Sequence, residues 1–261
     1  MDLGYFETSL DVQDIRRSAA FYEALGFKQI DGGVDIRTLS MARGDCKIAL
    51  YQGYLDPPGT QLIFWQGDVE AIGRELAAKG VTIERGPAKD DSGAALMFRD
   101  PDGHPIFLIN MPVRYVNDPG YERRMPAYRR SAEKPDMGIG WFNLSLVTQD
   151  IKRAVAFYRM LGFELLTNDF DTTATMSNGD CRICLYQGHI TETQLIFWQG
   201  HIDQMAKLAE DKGLAFLRPL SRDDDGEGFL LKDPDGTPLH FINMKKYRRA
   251  AAASPSSAER A

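Results

Sequence analysis

The octapeptide TQLIFWQG occurs twice in this 261-residue chain, at Thr60–Gly67 and again at Thr193–Gly200. If each copy forms a β-strand, alternate side chains share one face, so that Gln61 lies on the same face as Trp65. A glutamine amide beside an indole ring is typical of a small-molecule pocket, in which a few polar groups orient an otherwise apolar ligand. The alternative interpretation is that both tryptophans fill a hydrophobic core.

Other residues capable of chemistry give weaker signals. Cys181 and Cys184 have the C-x-x-C spacing of redox pairs and zinc sites, but on a strand positions i and i+3 point to opposite faces, which argues against both. No Ser-His-Asp motif, Gly-rich phosphate loop or nucleotide-binding signature stands out in the sequence. Three histidines are expected in turn or helix-cap positions, exposed to solvent: His104, His189 and His201.

The second half of the sequence repeats the first. FYEALGF at Phe21–Phe27 corresponds to FYRMLGF at Phe157–Phe163, and the DPDG segment at Asp100–Met111 corresponds to Asp233–Met244. Two copies of about 120 residues indicate a duplicated domain rather than a solenoid. We predict a first module at residues 1–112, a Pro-, Gly- and charge-rich linker at 113–138, a second module at 139–245 and a disordered tail at 246–261.

The repeated strands need helices to hold them in place. In the first module, YFETSLDVQ alternates like a strand, and DIRRSAAFYEALG predicts a helix with Asp14 as its N-cap and Gly26 at its end. The same order returns after TQLIFWQ, where DVEAIGRELAAKG predicts a helix capped by Asp68 and ended by Gly80. Each module is therefore predicted to contain two β-α-β-β-β units.

The composition argues against several classes of partner. A formal net charge of −6 with dispersed Lys and Arg residues predicts no nucleic-acid partner. The amino-terminal sequence lacks the basic and apolar regions of a signal peptide, and no apolar run approaches the roughly 20 residues that span a bilayer, so no membrane partner is expected. Three cysteines are too few for a disulfide framework, which favours a cytoplasmic location.

Several segments form a pattern that can be compared with known families. Val12–Phe27 reads V-x-D-I-x-R-S-x-x-F-Y-x-x-L-G-F, and Thr148–Phe163 repeats most of it. FWQGD at Phe64–Asp68 and DPDG-x-P-I at Asp100–Ile106 complete the pattern. These segments resemble the vicinal oxygen chelate superfamily, which includes glyoxalase I, bleomycin-resistance proteins, fosfomycin-resistance transferases and extradiol dioxygenases. The resemblance implies an α+β fold of tandem duplicated glyoxalase-like modules, in which two βαβββ units bend each sheet into a cup.

The resemblance, combined with the two-residue period of strands, implies which side chains face each cup. Alternate residues on the first, fourth, fifth and eighth strands of a module look into the cup, and the others pack beneath the helices. We expect ligand contacts from ten such residues: Glu7, Tyr51, Gln61, Trp65, Phe107, Asn143, Tyr186, Gln194, Trp198 and His240.

Metal-dependent members of the superfamily carry His, Gln or Glu at four cup positions. The corresponding residues here are Glu7, Ala49, Gln61 and Phe107 in the first module and Asn143, Cys184, Gln194 and His240 in the second. Neither set is the family's His/Glu constellation, and Phe107 cannot donate a lone pair. In some members the cups form across two modules. Such a cup would bring together three ligands for a single divalent metal (Zn, Mn, Fe or Ni): Glu7, Gln194 and His240.

Three functional hypotheses follow. The first is a small-molecule-binding protein, similar to bleomycin-resistance proteins, with cup-shaped pockets, no cofactor and without the full metal tetrad. The alternative is a metal-dependent isomerase, lyase or dioxygenase with one composite site formed across the two modules. The third is a structural protein that kept the fold and lost the pocket. The expected partner is a small-molecule ligand, with the modules pairing within the chain and a homodimer left open.

Overall fold

The computed structural model of the chain describes residues 1–90, 93–110 and 136–245. Residues 113–135 of the predicted linker and the predicted tail at 246–261 lie outside the described residues, so the predictions for these segments stay predictions. Within the described ranges, no helix is long and apolar enough to cross a membrane.

The described residues of the first module form eight strands and two helices in the predicted order. The helices are α1 (Ile15–Ala24) and α2 (Val69–Ala78), and a short 3-10 turn spans Val34–Ile36. The strands are β1 (Gly4–Asp11), β2 (Lys28–Gly33), β3 (Thr38–Arg43), β4 (Cys46–Tyr51), β5 (Thr60–Gln66), β6 (Ile83–Asp90), β7 (Gly93–Arg99) and β8 (Pro105–Asn110).

The second module repeats this order, so that the β-α-β-β-β unit occurs four times in all. Its helices are α3 (Ile151–Met160) and α4 (Ile202–Asp211). Its strands are β9 (Trp141–Val147), β10 (Glu164–Phe170), β11 (Thr173–Asn178), β12 (Cys181–Tyr186), β13 (Gln194–Trp198), β14 (Phe216–Arg222), β15 (Gly226–Lys232) and β16 (Pro238–Met244).

The helices of the first module begin at the predicted capping residues. The Asp14 carboxylate accepts the backbone N–H groups of Arg16 and Arg17 at 3.0 and 3.2 Å, and Asp68 accepts that of Ala71 at 2.9 Å. These bonds satisfy donors that the first helical turn cannot satisfy within the helix. Gly26 follows α1 with a φ of +83°, a conformation that glycine adopts without steric cost.

Each module closes its own eight-stranded sheet, with the orders β2-β3-β4-β1-β5-β8-β7-β6 and β10-β11-β12-β9-β13-β16-β15-β14. In the first sheet β1 runs parallel to β4 and antiparallel to β5, and the second sheet repeats both pairings in β9, β12 and β13. The front and back halves of each cup therefore come from the same module. The alternative of cups built across the two modules is not the arrangement of this chain.

One face of each sheet packs into a hydrophobic core that the two modules share. In β5, Leu62 and Phe64 belong to this core, and Gln61 and Trp65 alternate with them on the opposite face. The Phe64 ring also contacts Phe163 of the second module edge-on, with centroids 6.5 Å apart. We call the faces turned away from the core the first cup and the second cup.

The two DPDG turns tie the modules together. Tyr22 on α1 donates from its hydroxyl to Asp233 Oδ2 at 2.8 Å, and Tyr158 on α3 donates to Asp100 Oδ2 at 3.0 Å. Ser18 Oγ adds a bond to Asp235 at 2.5 Å. The tight turn predicted from sequence thus has a second role, because its aspartates accept hydrogen bonds from a helix of the other module.

Candidate functional site

The first cup contains a buried carboxylate. Glu7 on β1 is 1% exposed, and four neighbouring side chains donate hydrogen bonds to it. Ser9 Oγ, Tyr51 OH and Trp65 Nε1 lie 3.2, 3.1 and 3.4 Å from Oε1, and Ser40 Oγ lies 3.2 Å from Oε2. A buried carboxylate is tolerated only when its oxygens are bonded, so these donors explain how Glu7 is accommodated. We call these five residues the Glu7 network.

The remaining predicted residues of the first cup also bond within the protein or are apolar. Burial and the negative charge of Glu7 raise the pKa of Tyr51 well above its usual range, so its phenol stays protonated and keeps donating. Gln61 donates from its amide nitrogen to the carbonyl of Pro57. Phe107 lies half-buried on β8 and has no polar atom.

In the second cup, Asn143 replaces Glu7. With its amide turned so that both ends are satisfied, Asn143 accepts from Trp198 Nε1 at 3.2 Å and donates to the carbonyl of Phe142 at 2.6 Å. Tyr186, on the neighbouring strand β12, packs edge-on against the ring of His189 at the strand end. The neutral amide therefore orients Trp198 but does not form the four-donor arrangement seen around Glu7.

Two buried atoms of the second cup have no hydrogen-bond partner among the described residues, namely Ser145 Oγ and Gln194 Oε1. The two residues lie opposite each other on β9 and β13. Ser9, the counterpart of Ser145, donates to Glu7 instead. Buried polar atoms normally have a partner, so these two atoms are exceptions among the described residues.

A cavity of about 650 Å³ opens on the second cup. This volume lies within the roughly 300 to 1,000 Å³ typical of small-molecule sites. Among the predicted contact residues, Asn143 and Trp198 line the cavity, whereas Tyr186, Gln194 and His240 lie elsewhere in the second module. The wall includes Trp141, Asn143, Thr175, Arg182, Trp198 and His201.

Sequence reasoning missed Trp141 and Arg182. Trp141 stands two residues before Asn143 on β9, and Arg182 two residues before Cys184 on β12. The two-residue period of strands, applied to the strand ends, would have placed both on the cup face. The guanidinium carbon of Arg182 lies 5.1 Å from the centre of the Trp141 ring, and its Nη1 lies 3.4 Å from a carboxylate oxygen of Asp45 in the first module.

His240 on β16 is held by a neighbouring arginine. Arg218 Nη2 lies 2.9 Å from His240 Nε2, and because a guanidinium can only donate, Nε2 is the acceptor. Burial, with a smaller contribution from the charge of Arg218, lowers the pKa of His240 to about 4. His240 is therefore neutral near pH 7, and its Nε2 lone pair is already used.

The metal positions of the superfamily do not hold a suitable donor set in either cup. In the first cup, Ala49 and Phe107 have no lone pair, and Glu7 is held by four internal donors. In the second cup, Asn143 and Gln194 are neutral amides, and His240 bonds a guanidinium. Cys184 Sγ accepts a hydrogen bond from Thr175 Oγ1 at 3.5 Å. Divalent transition metals favour carboxylate, thiolate or free imidazole donors, so the residues present do not fit such an ion.

The structure also separates the three residues predicted as a composite metal site. Glu7 belongs to the first sheet, whereas Gln194 and His240 belong to the second, so the predicted triad is not brought together. The reason is that β1 pairs with β5 of its own module rather than with β13. In the part of the chain that the structure describes, no three His, Cys, Asp or Glu side chains come together in a way that could hold a metal ion.

The sequence matches the family model described as "Glyoxalase/Bleomycin resistance protein/Dioxygenase superfamily" over residues 4–108 and 138–241. No curated protein sequence matches the chain. The two matched ranges correspond closely to the two sheets described above.

Solved structures share the fold at low sequence identity. A catechol 2,3-dioxygenase is 17% identical with a TM-score of 0.56, the match covering 93% of this chain and 87% of that one. The 2,3-dioxygenase LapB from Pseudomonas sp. KL28 is 18% identical with a TM-score of 0.57, covering 92% and 91%. The Mn(II)-bound glyoxalase from Novosphingobium aromaticivorans is 14% identical with a TM-score of 0.57, covering 92% and 80%. At these identities the similarity shows the fold alone.

Proposed function

This chain belongs to the glyoxalase/bleomycin resistance protein/dioxygenase superfamily, and from that premise we propose that it binds a small molecule in the second cup without using the metal positions of the superfamily. The observation that carries this proposal is the 650 Å³ cavity on that cup. A site of this size accommodates a ligand of drug-like dimensions.

The chemistry of the cavity wall supports binding. Trp141 and Trp198 lie opposite each other on adjacent antiparallel strands, so their indoles offer neighbouring apolar surfaces. Asn143 and Thr175 add polar groups that can set the orientation of a ligand. Trp198 is held in place by its bond to Asn143, which reduces the side-chain entropy that a ligand must overcome.

The proposal that binding needs no metal rests on the donor sets. Neither cup combines three unoccupied donors of the kinds that divalent transition metals prefer. Elemental analysis of protein purified without chelator tests this point. We expect less than about a tenth of an equivalent of transition metal and no gain after incubation with Zn²⁺ or Mn²⁺, whereas about one equivalent would contradict the proposal.

The binding function is tested by ligand-observed NMR of a chemically diverse fragment library with the full chain and two matched variants. Trp198→Ala removes an indole from the cavity wall, and Trp65→Ala removes its counterpart from the first cup. We expect fragments that bind the unaltered protein to lose roughly tenfold or more in affinity with Trp198→Ala and to keep their affinity with Trp65→Ala. An absence of binding fragments, or equal effects of the two variants, would contradict the proposal.

A second candidate function is metal-dependent catalysis, as in an isomerase, lyase or dioxygenase. It is favoured by the fold shared with a Mn(II)-bound glyoxalase and with dioxygenases. In the second module, all four residues at the superfamily's metal positions carry a lone pair: Asn143, Cys184, Gln194 and His240. One equivalent of bound metal that is lost in a His240→Phe variant would favour this function over the first.

A further inference from the structure

Arg182 gives the cavity of the second cup a positive group. Among the described residues that line the cavity, the ionisable ones are Arg182 and His201, and none is Asp or Glu. Among the described residues, the polar contact of Arg182 runs from Nη1 to Asp45 Oδ2 at 3.4 Å, a long distance for a charge-assisted bond. A guanidinium carries five N–H donors, so most of them are available to a ligand.

We propose that the second cup selects a planar ligand that carries a carboxylate, with Arg182 receiving the carboxylate and the indoles of Trp141 and Trp198 receiving the planar body. This inference rests on the proposed binding function and adds the class of ligand. Arginine presents paired donors that match the two oxygens of a carboxylate, which makes it suited to this task.

Asp45 orients Arg182 without consuming its charge. The Asp45 carboxylate also accepts the backbone N–H of Phe142 at 3.1 Å, so it is divided between two donors. The Arg182 side chain remains 30% exposed, whereas that of Asp45 is 13% exposed. The guanidinium therefore stands between a partly buried carboxylate on one side and the open cavity on the other.

The equivalent position of the first module shows what a fully used cation looks like. Lys47 occupies the position of Arg182, and its Nζ lies 2.5 Å from Asp180 Oδ2. The side chain of Lys47 is only 2% exposed, so its charge is enclosed by protein. A cation at this position of the repeat is therefore not sufficient for ligand binding. Arg182 differs from Lys47 in its longer contact with the neighbouring aspartate and in its greater exposure.

The planar part of the ligand follows from the tryptophans. Trp141 is 38% exposed, an unusual exposure for a large aromatic side chain, and the Arg182 guanidinium lies over its ring. A carboxylate bonded to the free edge of this guanidinium holds its attached group close to the paired indoles. Flat conjugated rings gain more from such surfaces than saturated rings of similar size, because they stack with full contact.

The test is isothermal titration calorimetry of the full chain with three probes. 2-Naphthoate is planar and anionic, 2-naphthamide is planar and neutral, and cyclohexanecarboxylate is anionic and not planar. We expect 2-naphthoate to bind about tenfold or more tightly than either of the others. Arg182→Gln should abolish the preference for naphthoate over naphthamide while leaving naphthamide affinity within about twofold, and Arg182→Lys should retain part of the preference.

Arg159→Gln is the matched control, because it removes an arginine from the exposed last turn of α3 and should leave the preference unchanged. Thermal melting of each variant verifies folding, and the naphthamide affinity of Arg182→Gln reports an intact cavity. Equal binding of naphthoate and naphthamide, both dependent on Trp198, would overturn the carboxylate inference and leave the binding function standing. Failure of naphthoate to bind would overturn this inference, and the fragment screen decides the binding function separately.

Discussion

The two cups are built from the same repeated sequence but differ in how their polar groups are used. In the first cup, Glu7 accepts four hydrogen bonds from within the protein. In the second cup, Asn143 accepts one from Trp198, and Ser145 Oγ has no partner among the described residues. Replacement of one carboxylate by an amide thus leaves the second cup with fewer internal hydrogen bonds at the equivalent positions.

The equivalent cations of the two cups also differ in how far the protein encloses them. Lys47 is enclosed against Asp180, whereas Arg182 is partly exposed and only loosely bonded to Asp45. The tyrosine–aspartate bonds between the modules, by contrast, are nearly the same in both copies, as the contacts of Tyr22 and Tyr158 show. The duplication has therefore kept this pair of contacts, while the side chains on the two cup faces have diverged.

The largest expected difference between the cups concerns the residues at their centres. Glu7→Ala leaves one buried and three partly buried donors without their acceptor and should lower the free energy of unfolding by about 3 kcal/mol. Asn143→Ala removes the partner of Trp198 Nε1 and should cost about 1 kcal/mol. Urea unfolding of both variants measures the difference. As a control, Glu7→Gln should recover part of the stability lost in Glu7→Ala. Equal losses in Glu7→Ala and Asn143→Ala would contradict a stabilising role of the Glu7 network.

A smaller difference is expected at the acidic partners of the two cations. Asp180→Asn leaves the buried Lys47 with less compensation and should cost about 2 kcal/mol. Asp45→Asn acts on a longer and more exposed pair and should cost less than about 1 kcal/mol. Both aspartates also accept one backbone N–H, at 2.9 and 3.1 Å, so that contribution cancels in the comparison. Chemical unfolding that gives the reverse order would contradict the assignment of Lys47 as the enclosed cation.

The smallest expected difference concerns how stability depends on pH. His240 in the second cup is titratable, whereas Phe107, its counterpart in the first cup, is not. The pKa of His240 in the folded chain is lowered from 6.5 to about 4, so the unfolded chain binds the proton more readily. The contribution of His240 to stability is therefore complete above pH 6.5 and is lost as the pH falls towards about 4. His240→Phe should lose less stability than the unaltered protein over this interval, as measured by thermal melting at several pH values.

NMR titration of the His240 ring provides the direct control. Its midpoint should lie near 4 and should rise in Arg218→Gln, because the neighbouring positive charge is removed. A midpoint near the ordinary value of 6.5 would contradict both the burial of the ring and its role as an acceptor.

Much of the fold is predictable because its determinants are local. Asp14 and Asp68 follow strands and precede helical patterns, and both cap the helices that the sequence predicts. Gln61 and Trp65 alternate with Leu62 and Phe64, which assigns the two faces of the strand. These features depend on side-chain period and capping chemistry within a few residues, and neither requires knowledge of distant contacts.

The candidate site was only partly predictable. Asn143 and Trp198 line the cavity, although their contact with a ligand stays a prediction, and the expected meeting of Glu7 with His240 does not occur. A strand such as β1 can bury the same side chains against either copy of the repeated TQLIFWQ strand, so the local pattern fits both pairings equally well. The choice between them depends on contacts between segments far apart in the chain.

The sequence by itself determined the duplication, the four β-α-β-β-β units and the face on which each strand residue lies. The duplication is visible as repeated segments, and the other two features follow from side-chain periods and capping residues within short stretches of chain. Tertiary structure alone decided that each cup closes within its own module, that Glu7 is saturated, and that Asp45 of one module contacts Arg182 of the other. These outcomes depend on burial and on distances between remote segments, which set whether a charged or polar group is enclosed or left open to a ligand.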